Sequence, residues 1–171
     1  MRYNKSEKGF TLIEGIAVLL IIAILAAVAI SRGASTAEAE LRSSAEALRG
    51  HIRFAQMKAM NSDADKTSIS ACEASHGISF SGISYFLFKD CNVANKVSLP
   101  GAAGDTVSLP SMSLSATNAP NNLITFDKWG RPCTDVNGTT LPTSNITLRL
   151  SHTQVSQPVI STITKNTGYV P

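Results

Sequence analysis

The chain has 171 residues, of which 43% are hydrophobic and 16% charged, a balance that excludes a disordered chain and fits one domain with an appendage. A mean hydropathy of +0.08 is too low for a polytopic membrane protein. The net charge of +3 comes from 15 Lys+Arg against 12 Asp+Glu, and Arg2, Lys5 and Lys8 against Glu7 place +2 of it in residues 1–9. The other residues therefore carry +1, which is no nucleic-acid footprint.

Residues 1–9 are short, polar and basic. Phe10–Ile30 follows, with Glu14 as its one charged residue, and all seven prolines wait until Pro100 or later. The early chain thus permits a long unbroken helix. About 20 apolar residues at 1.5 Å each cross a bilayer core, and basic residues ahead of the run keep the leader inside and send the bulk of the chain outside. A cleaved secretory signal is one alternative, with Ala26-Ala27-Val28-Ala29 as its small-residue site, and a plain single-span anchor is another. Neither accounts for Glu14, because a carboxylate within an apolar run is costly and calls for a partner.

Past Ile30 the composition becomes amphipathic without a break. Ala34, Ala37, Leu41, Ala45, Leu48, Ile52, Ala55 and Ala59 recur at spacings of three and four between charged residues, the pattern of a helix with one apolar stripe. Glu38–Arg42 and Glu46–Arg49 stand at pairing distance along it. One helix is predicted from about Thr11 to Asn61, with Ser31, Gly33 and Gly50 as points where it could bend. About fifty residues span about 75 Å, so the apolar half is expected to project while the Leu41/Leu48/Ile52 stripe packs on a C-terminal sheet.

Residues 62–171 hold short alternating segments between Gly, Pro and Asn punctuation: Thr67–Ala71, Gly77–Phe80, Ser84–Phe88, Leu123–Phe126, Ile146–Leu150 and Val159–Ile163. They predict an antiparallel sheet. Val93–Asn122 reads as a variable loop or an irregular hairpin region. The fold class is α+β, a long N-terminal helix on an antiparallel β-sheet head. Trp129 is assigned to the core. If Thr67–Cys72 and Ser84–Phe88 form a hairpin, Cys91 lies past the residue opposite Cys72, so Cys91–Cys133 is the expected disulfide among three cysteines.

Enzyme chemistry has no motif to stand on. Cys72-x-x-x-His76 is half a zinc site without a second pair, and His51, His76 and His152 are isolated. There is no Gly-x-Ser-x-Gly elbow and no phosphate-binding loop. No cofactor and no metal are expected. DNA contact would need clustered basic residues; in the head only Lys128 and Arg131 lie close together.

Lys8-Gly9-Phe10-Thr11-Leu12-Ile13-Glu14, followed by the apolar run, resembles the leader of type IV prepilins and type II secretion pseudopilins. The resemblance implies cleavage between Gly9 and Phe10 by a prepilin peptidase, N-methylation of Phe10, and a pairing role for Glu14 with the Phe10 amine of a neighbouring subunit. It implies a leader (1–9), an assembly or transmembrane helix (10–30), an amphipathic half (31–61) and a head (62–171). The partners it implies are the peptidase, other pilin or pseudopilin subunits, membrane lipid and an inner-membrane assembly platform with its ATPase. Leu48–Ala59, Ile124–Asp127 with Trp129–Pro132, and Ile163–Val170 resemble the pseudopilin H/FimT-like minor pilins, some of which are associated with DNA uptake. A major filament subunit and a DNA-binding or adhesive tip protein are the alternatives within this resemblance.

Overall fold

The computed structural model describes residues 12–62 and 75–171, with the side chains of residues 28–35 left out of the description. The chain divides into two compact units, one reaching to Thr36 and the other covering Ala37–Pro171. One helix, α1 (Leu12–Met60), contributes to both. Its last residues are followed by Asn61, whose N–H still donates to the Met57 carbonyl at 3.0 Å. The helix therefore ends within one residue of the expected Asn61.

In the second unit, α1 buries Ala37, Leu41, Ala45, Leu48, Ile52, Ala55 and Ala59. Steps of three and four keep these positions on one face of the helix. Small alanines alternate with Leu and Ile, which lets the helix backbone approach the sheets while the larger side chains fill the space between. Burying each Leu or Ile contributes roughly 1.5–3 kcal/mol. The exposed side carries the predicted pairs, Arg42 to Glu38 at 2.7 Å and Arg49 to Glu46 at 2.6 Å.

Among the described residues nine strands follow: β1 (His76–Phe80), β2 (Ser84–Lys89), β3 (Asn92–Val97), β4 (Val107–Ser108), β5 (Met112–Thr117), β6 (Leu123–Phe126), β7 (Pro132–Cys133), β8 (Ile146–His152) and β9 (Val159–Ile163). One sheet runs β3-β2-β1-β6-β7, with β4 also paired to β2; the other runs β5-β8-β9. All described pairings are antiparallel. This is the α+β, type IV pilin-like architecture. Ile78, Phe80, Tyr85, Leu87, Ile124 and Phe126 from the first sheet share one core with Leu114, Ile146, Leu148, Leu150 and Ile163 from the second, and with the helix stripe.

Three expectations are corrected. The segment 93–122 holds most of β3 and all of β4 and β5, which excludes the variable-loop reading and leaves the irregular, strand-bearing one. Trp129 is 64% exposed and is no core anchor. Cys133 is a free, buried thiol while Cys91 is disulfide-bonded, so the expected Cys91–Cys133 bridge is absent. The strand order explains this. Phe88, Gly77, Thr125 and Cys133 are successive partners across β2, β1, β6 and β7, three steps of about 4.8 Å, or about 14 Å. Bridged cysteines keep their Cα atoms within about 7 Å. Cys91 lies just beyond β2 and reaches the segment before β1, donating its N–H to Ser75 Oγ at 3.3 Å. The hairpin partner of β2 is β1, so the premise that paired Thr67–Cys72 with it fails. Cys72 and the predicted strand Thr67–Ala71 lie outside the described residues.

Gly77 shows how closely the first sheet is packed. A Cβ there would stand 2.6 Å from both Phe88 Cζ and Thr125 Cγ2 and 2.9 Å from the Ile124 carbonyl oxygen. The Phe88 ring occupies the space a side chain would take, as aromatic neighbours do over glycine in sheets.

Candidate functional site

Two places in the molecule carry residues that a folded core does not account for. The first is the start of α1. Glu14 lies in its first turn, where the positive end of the helix dipole favours a carboxylate. Around it Leu12, Ile13, Ile16, Leu19, Leu20 and Ile21 are all exposed, Leu12 at 85%. A water-soluble monomer rarely shows contiguous apolar surface of this kind, which marks it for lipid or another protein surface. Among the described residues no helix is long and apolar enough to cross a membrane. Gly9 and Phe10 lie outside the described residues.

The second place is the junction between the end of α1 and two turns of the head. Arg49, Arg53 and Gln56, at i, i+4 and i+7, share a polar stripe beside the apolar one. Arg49 Nε donates to Ser161 Oγ at 2.9 Å on β9, and Arg53 donates to the Val170 carbonyl at 2.8 Å. Gln56 Nε2 donates to two carbonyls at once, Gly130 at 2.8 Å and Thr167 at 2.9 Å. A single amide thereby ties the helix to both turns. Gly168 sits at φ +68, and a Cβ there would stand 2.7 Å from Gln56 Nε2 and 3.2 Å from Phe126 Cε1. Glycine is required by conformation and by space.

The turn carrying Trp129 is built around Asp127. Its Oδ1 accepts N–H bonds from Trp129 at 3.0 Å and Arg131 at 2.8 Å, and its Oδ2 accepts from Arg131 Nε at 2.7 Å. Gly130 N–H closes the turn onto the Asp127 carbonyl at 2.9 Å. The carboxylate is buried while the tryptophan it positions faces out. Lys128 Nζ stands 4.6 Å and Arg131 Cζ 4.8 Å from the centre of the Trp129 ring, inside cation–π range. The two basic residues singled out in the sequence are therefore brought together, and the aromatic between them is what sequence reasoning missed. Its signal was local: an Asp four residues before an Arg, with a Gly between, is a turn pattern that holds its middle outward.

Other polar groups are structural. His51 Nε2 donates to the Pro100 carbonyl at 2.9 Å, because a carbonyl can only accept, so Nδ1 accepts from the Tyr85 hydroxyl at 2.8 Å. Burial pushes the Tyr85 hydroxyl up to about 12, which keeps the donor protonated. His152 Nδ1 accepts from Gln154 N–H at 3.1 Å and its Nε2 faces Glu40 at 3.9 Å. Neither histidine is isolated; each links elements of the core. Burial, reinforced by the Asp127 and Asp135 charges, raises the Cys133 thiol to about 12 against the pull of Arg131. At Asp135 burial pushes upward, but hydrogen bonds from the Thr139 and Thr140 backbone and the Thr139 hydroxyl outweigh it and hold the carboxyl below its ordinary range. Among the described residues no group of three His, Cys, Asp or Glu side chains could hold a metal ion.

Residues 4–30 match the prokaryotic N-terminal methylation motif. The motif is of the type IV pilin kind, and it supports a pilin-like or pseudopilin subunit in general terms. It implies processing by a prepilin peptidase and assembly with other pilin subunits. No curated protein and no solved structure gives a match to this chain.

Proposed function

We propose that this chain is a structural subunit, a minor pilin or pseudopilin of the H/FimT-like kind, that works by helix-mediated assembly and not by catalysis. It is held in the cytoplasmic membrane through residues 10–30 with its head outside the cytoplasm, then transferred into a filament by an ATP-driven platform. The leader is cut between Gly9 and Phe10, and Phe10 becomes the N-methylated first residue. The observation that carries the reading is the exposure of nearly every apolar side chain from Leu12 to Leu25 inside a matched methylation motif. That surface needs lipid before assembly and neighbouring helices after it.

Glu14 supplies register. Cleavage creates an ammonium at Phe10 in apolar surroundings, and either charge is costly there alone. Paired between neighbours, each removes the other's penalty, so the pair selects one axial offset more than it adds stability. The test is the intact mass of the mature protein isolated from membranes. The expected chain begins at Phe10 and carries one added methyl group; a start after Ala29, or an uncut Met1, would overturn the reading.

A further inference from the structure

Within the unit Ala37–Pro171 the charges are divided between the two ends of the helix. The first turns hold Glu38, Glu40 and Glu46 against Arg42, with Glu38 and Glu46 more than half exposed. The last turns hold Lys58, and the adjoining turn adds Lys128 and Arg131 around the exposed Trp129, against the single buried Asp127. Gln56 and Met60 contact Gly130 in that turn, so the basic cluster lies at the helix end. Glu40 and Gln56 are sixteen residues apart, about 24 Å along the axis. Tyr169, 61% exposed, follows the Thr167 and Gly168 held by Gln56, and Met60, partly exposed, lies against Gly130.

We infer that these two ends are complementary docking poles, and that the Trp129 pole of one copy seats on the Glu38/Glu40/Glu46 pole of a second copy. The inference rests on the subunit reading above and names the contact between heads. The composition fits a protein contact: Trp, Tyr, Met and Arg concentrate at the centres of interfaces. Trp129 is presented on a turn fixed by five hydrogen bonds, so little ordering remains to oppose docking. Charge complementarity between poles sets orientation and register. Because the poles are different surfaces at opposite ends, the contact is heterologous and propagates instead of closing into a pair. Duplex DNA is the weaker occupant. Lys58, Lys128 and Arg131 would neutralise about three phosphates, where a firm protein–DNA contact uses about six to ten.

Trp129 is the only tryptophan in the chain, so its fluorescence reads the pole directly. The mature full-length protein in detergent is diluted over a hundredfold range at low salt. Its emission is expected to move to the blue as concentration rises, and the shift is expected to fade at high salt. Two charge-reversed proteins, Lys58→Glu/Lys128→Glu and Glu38→Lys/Glu40→Lys, keep Arg131 on Asp127. Each alone is expected to associate at least tenfold more weakly, and an equimolar mixture is expected to restore the shift. Thermal melting confirms that each variant is folded; where the acidic-pole variant melts early, Glu38→Lys alone replaces it. Emission independent of concentration, a mixture that fails to restore it, or a shift produced by duplex DNA and not by the second copy would overturn the inference. The mass of the mature N-terminus judges the subunit reading separately, so a processed chain whose poles do not associate leaves that reading standing.

Discussion

The two stretches of α1 are both rich in apolar residues, yet residues 12–27 expose them and residues 37–60 bury them. The difference is written in spacing. In the second stretch charged residues interrupt the apolar ones at every turn, leaving one stripe for a core. In the first, apolar residues occupy every side, and no single folded head can cover a helix all round. A stripe satisfies its own chain, while a fully apolar surface needs other molecules. Glu14 sharpens the contrast, since it is the only charge in the first stretch, whereas Glu38 and Glu46 find arginines on their own helix.

Breaking the first stretch should therefore destroy assembly and spare the fold. Glu14→Ala is expected to leave the membrane pool and the thermal melting of the protein unchanged while filament incorporation falls at least a hundredfold. Quantifying the chain in sheared filaments against membranes checks this, and wild-type incorporation would remove the pairing role. Breaking the second stretch should do the reverse. Leu48→Ala leaves a cavity beneath the stripe at a buried position, a change that costs about 2–5 kcal/mol. The expected result is early melting and rapid proteolysis of the head, with cleavage at the leader still occurring.

Much of this was legible in the sequence because periodicity reports directly on one-sided burial. The helix stripe, the start of β8 and the whole of β9 fell where three-four spacing or alternation placed them. The strand β3 could not be read this way: Asn92–Val97 is exposed along almost its whole length, so no face is selected for apolar residues. By contrast, β5 alternates Met112, Leu114 and Ala116 with polar residues, and the surrounding prolines obscured a readable signal. Trp129 was misplaced because aromatic character argues for burial, while the local turn built by the Asp127 carboxylate and Gly130 holds it outward, a pattern that was present in the sequence. The disulfide failed for a different reason. Spacing does not reveal which strand separates two cysteines, and β1 and β6 both stand between β2 and β7.

The junction offers a milder test, because its contacts are hydrogen bonds and not core volume. Gln56→Ala removes the donor shared by the Gly130 and Thr167 carbonyls. Losing two such bonds costs about 1–3 kcal/mol. The expected protein still folds, melts a few degrees earlier, and shows faster amide exchange confined to residues 127–131 and 164–170. Exchange raised uniformly across both sheets would mean that Gln56 supports the whole core and not this junction. Gln56→Glu is expected to be worse than Ala, since a carboxylate facing two carbonyl oxygens repels both.

The smallest expected effect concerns the cysteines. With Cys91 bonded and Cys133 free, Cys72 is the remaining candidate partner among the three, and a non-reduced digest is expected to yield a linked Cys72–Cys91 peptide. Cys133 should resist iodoacetamide in the folded protein and react once it is unfolded, because burial holds its thiol near 12, above the ordinary value of 9.0. The pH dependence has a definite sign. Below pH 9 the thiol is protonated in both states; between 9 and 12 it is lost from the unfolded chain first, so stability falls as pH rises. Tyr85 acts in the same direction from its ordinary value of 10.0 up to about 12. Cys133→Ala should therefore flatten the stability curve between pH 9 and about 12, leaving only the Tyr85 slope above pH 10, and leave it unchanged at pH 7 apart from a constant offset. A curve that keeps its slope in that window would show that Cys133 ionises as freely in the sheet as in water, contrary to its place behind β6 and the Asp127 turn.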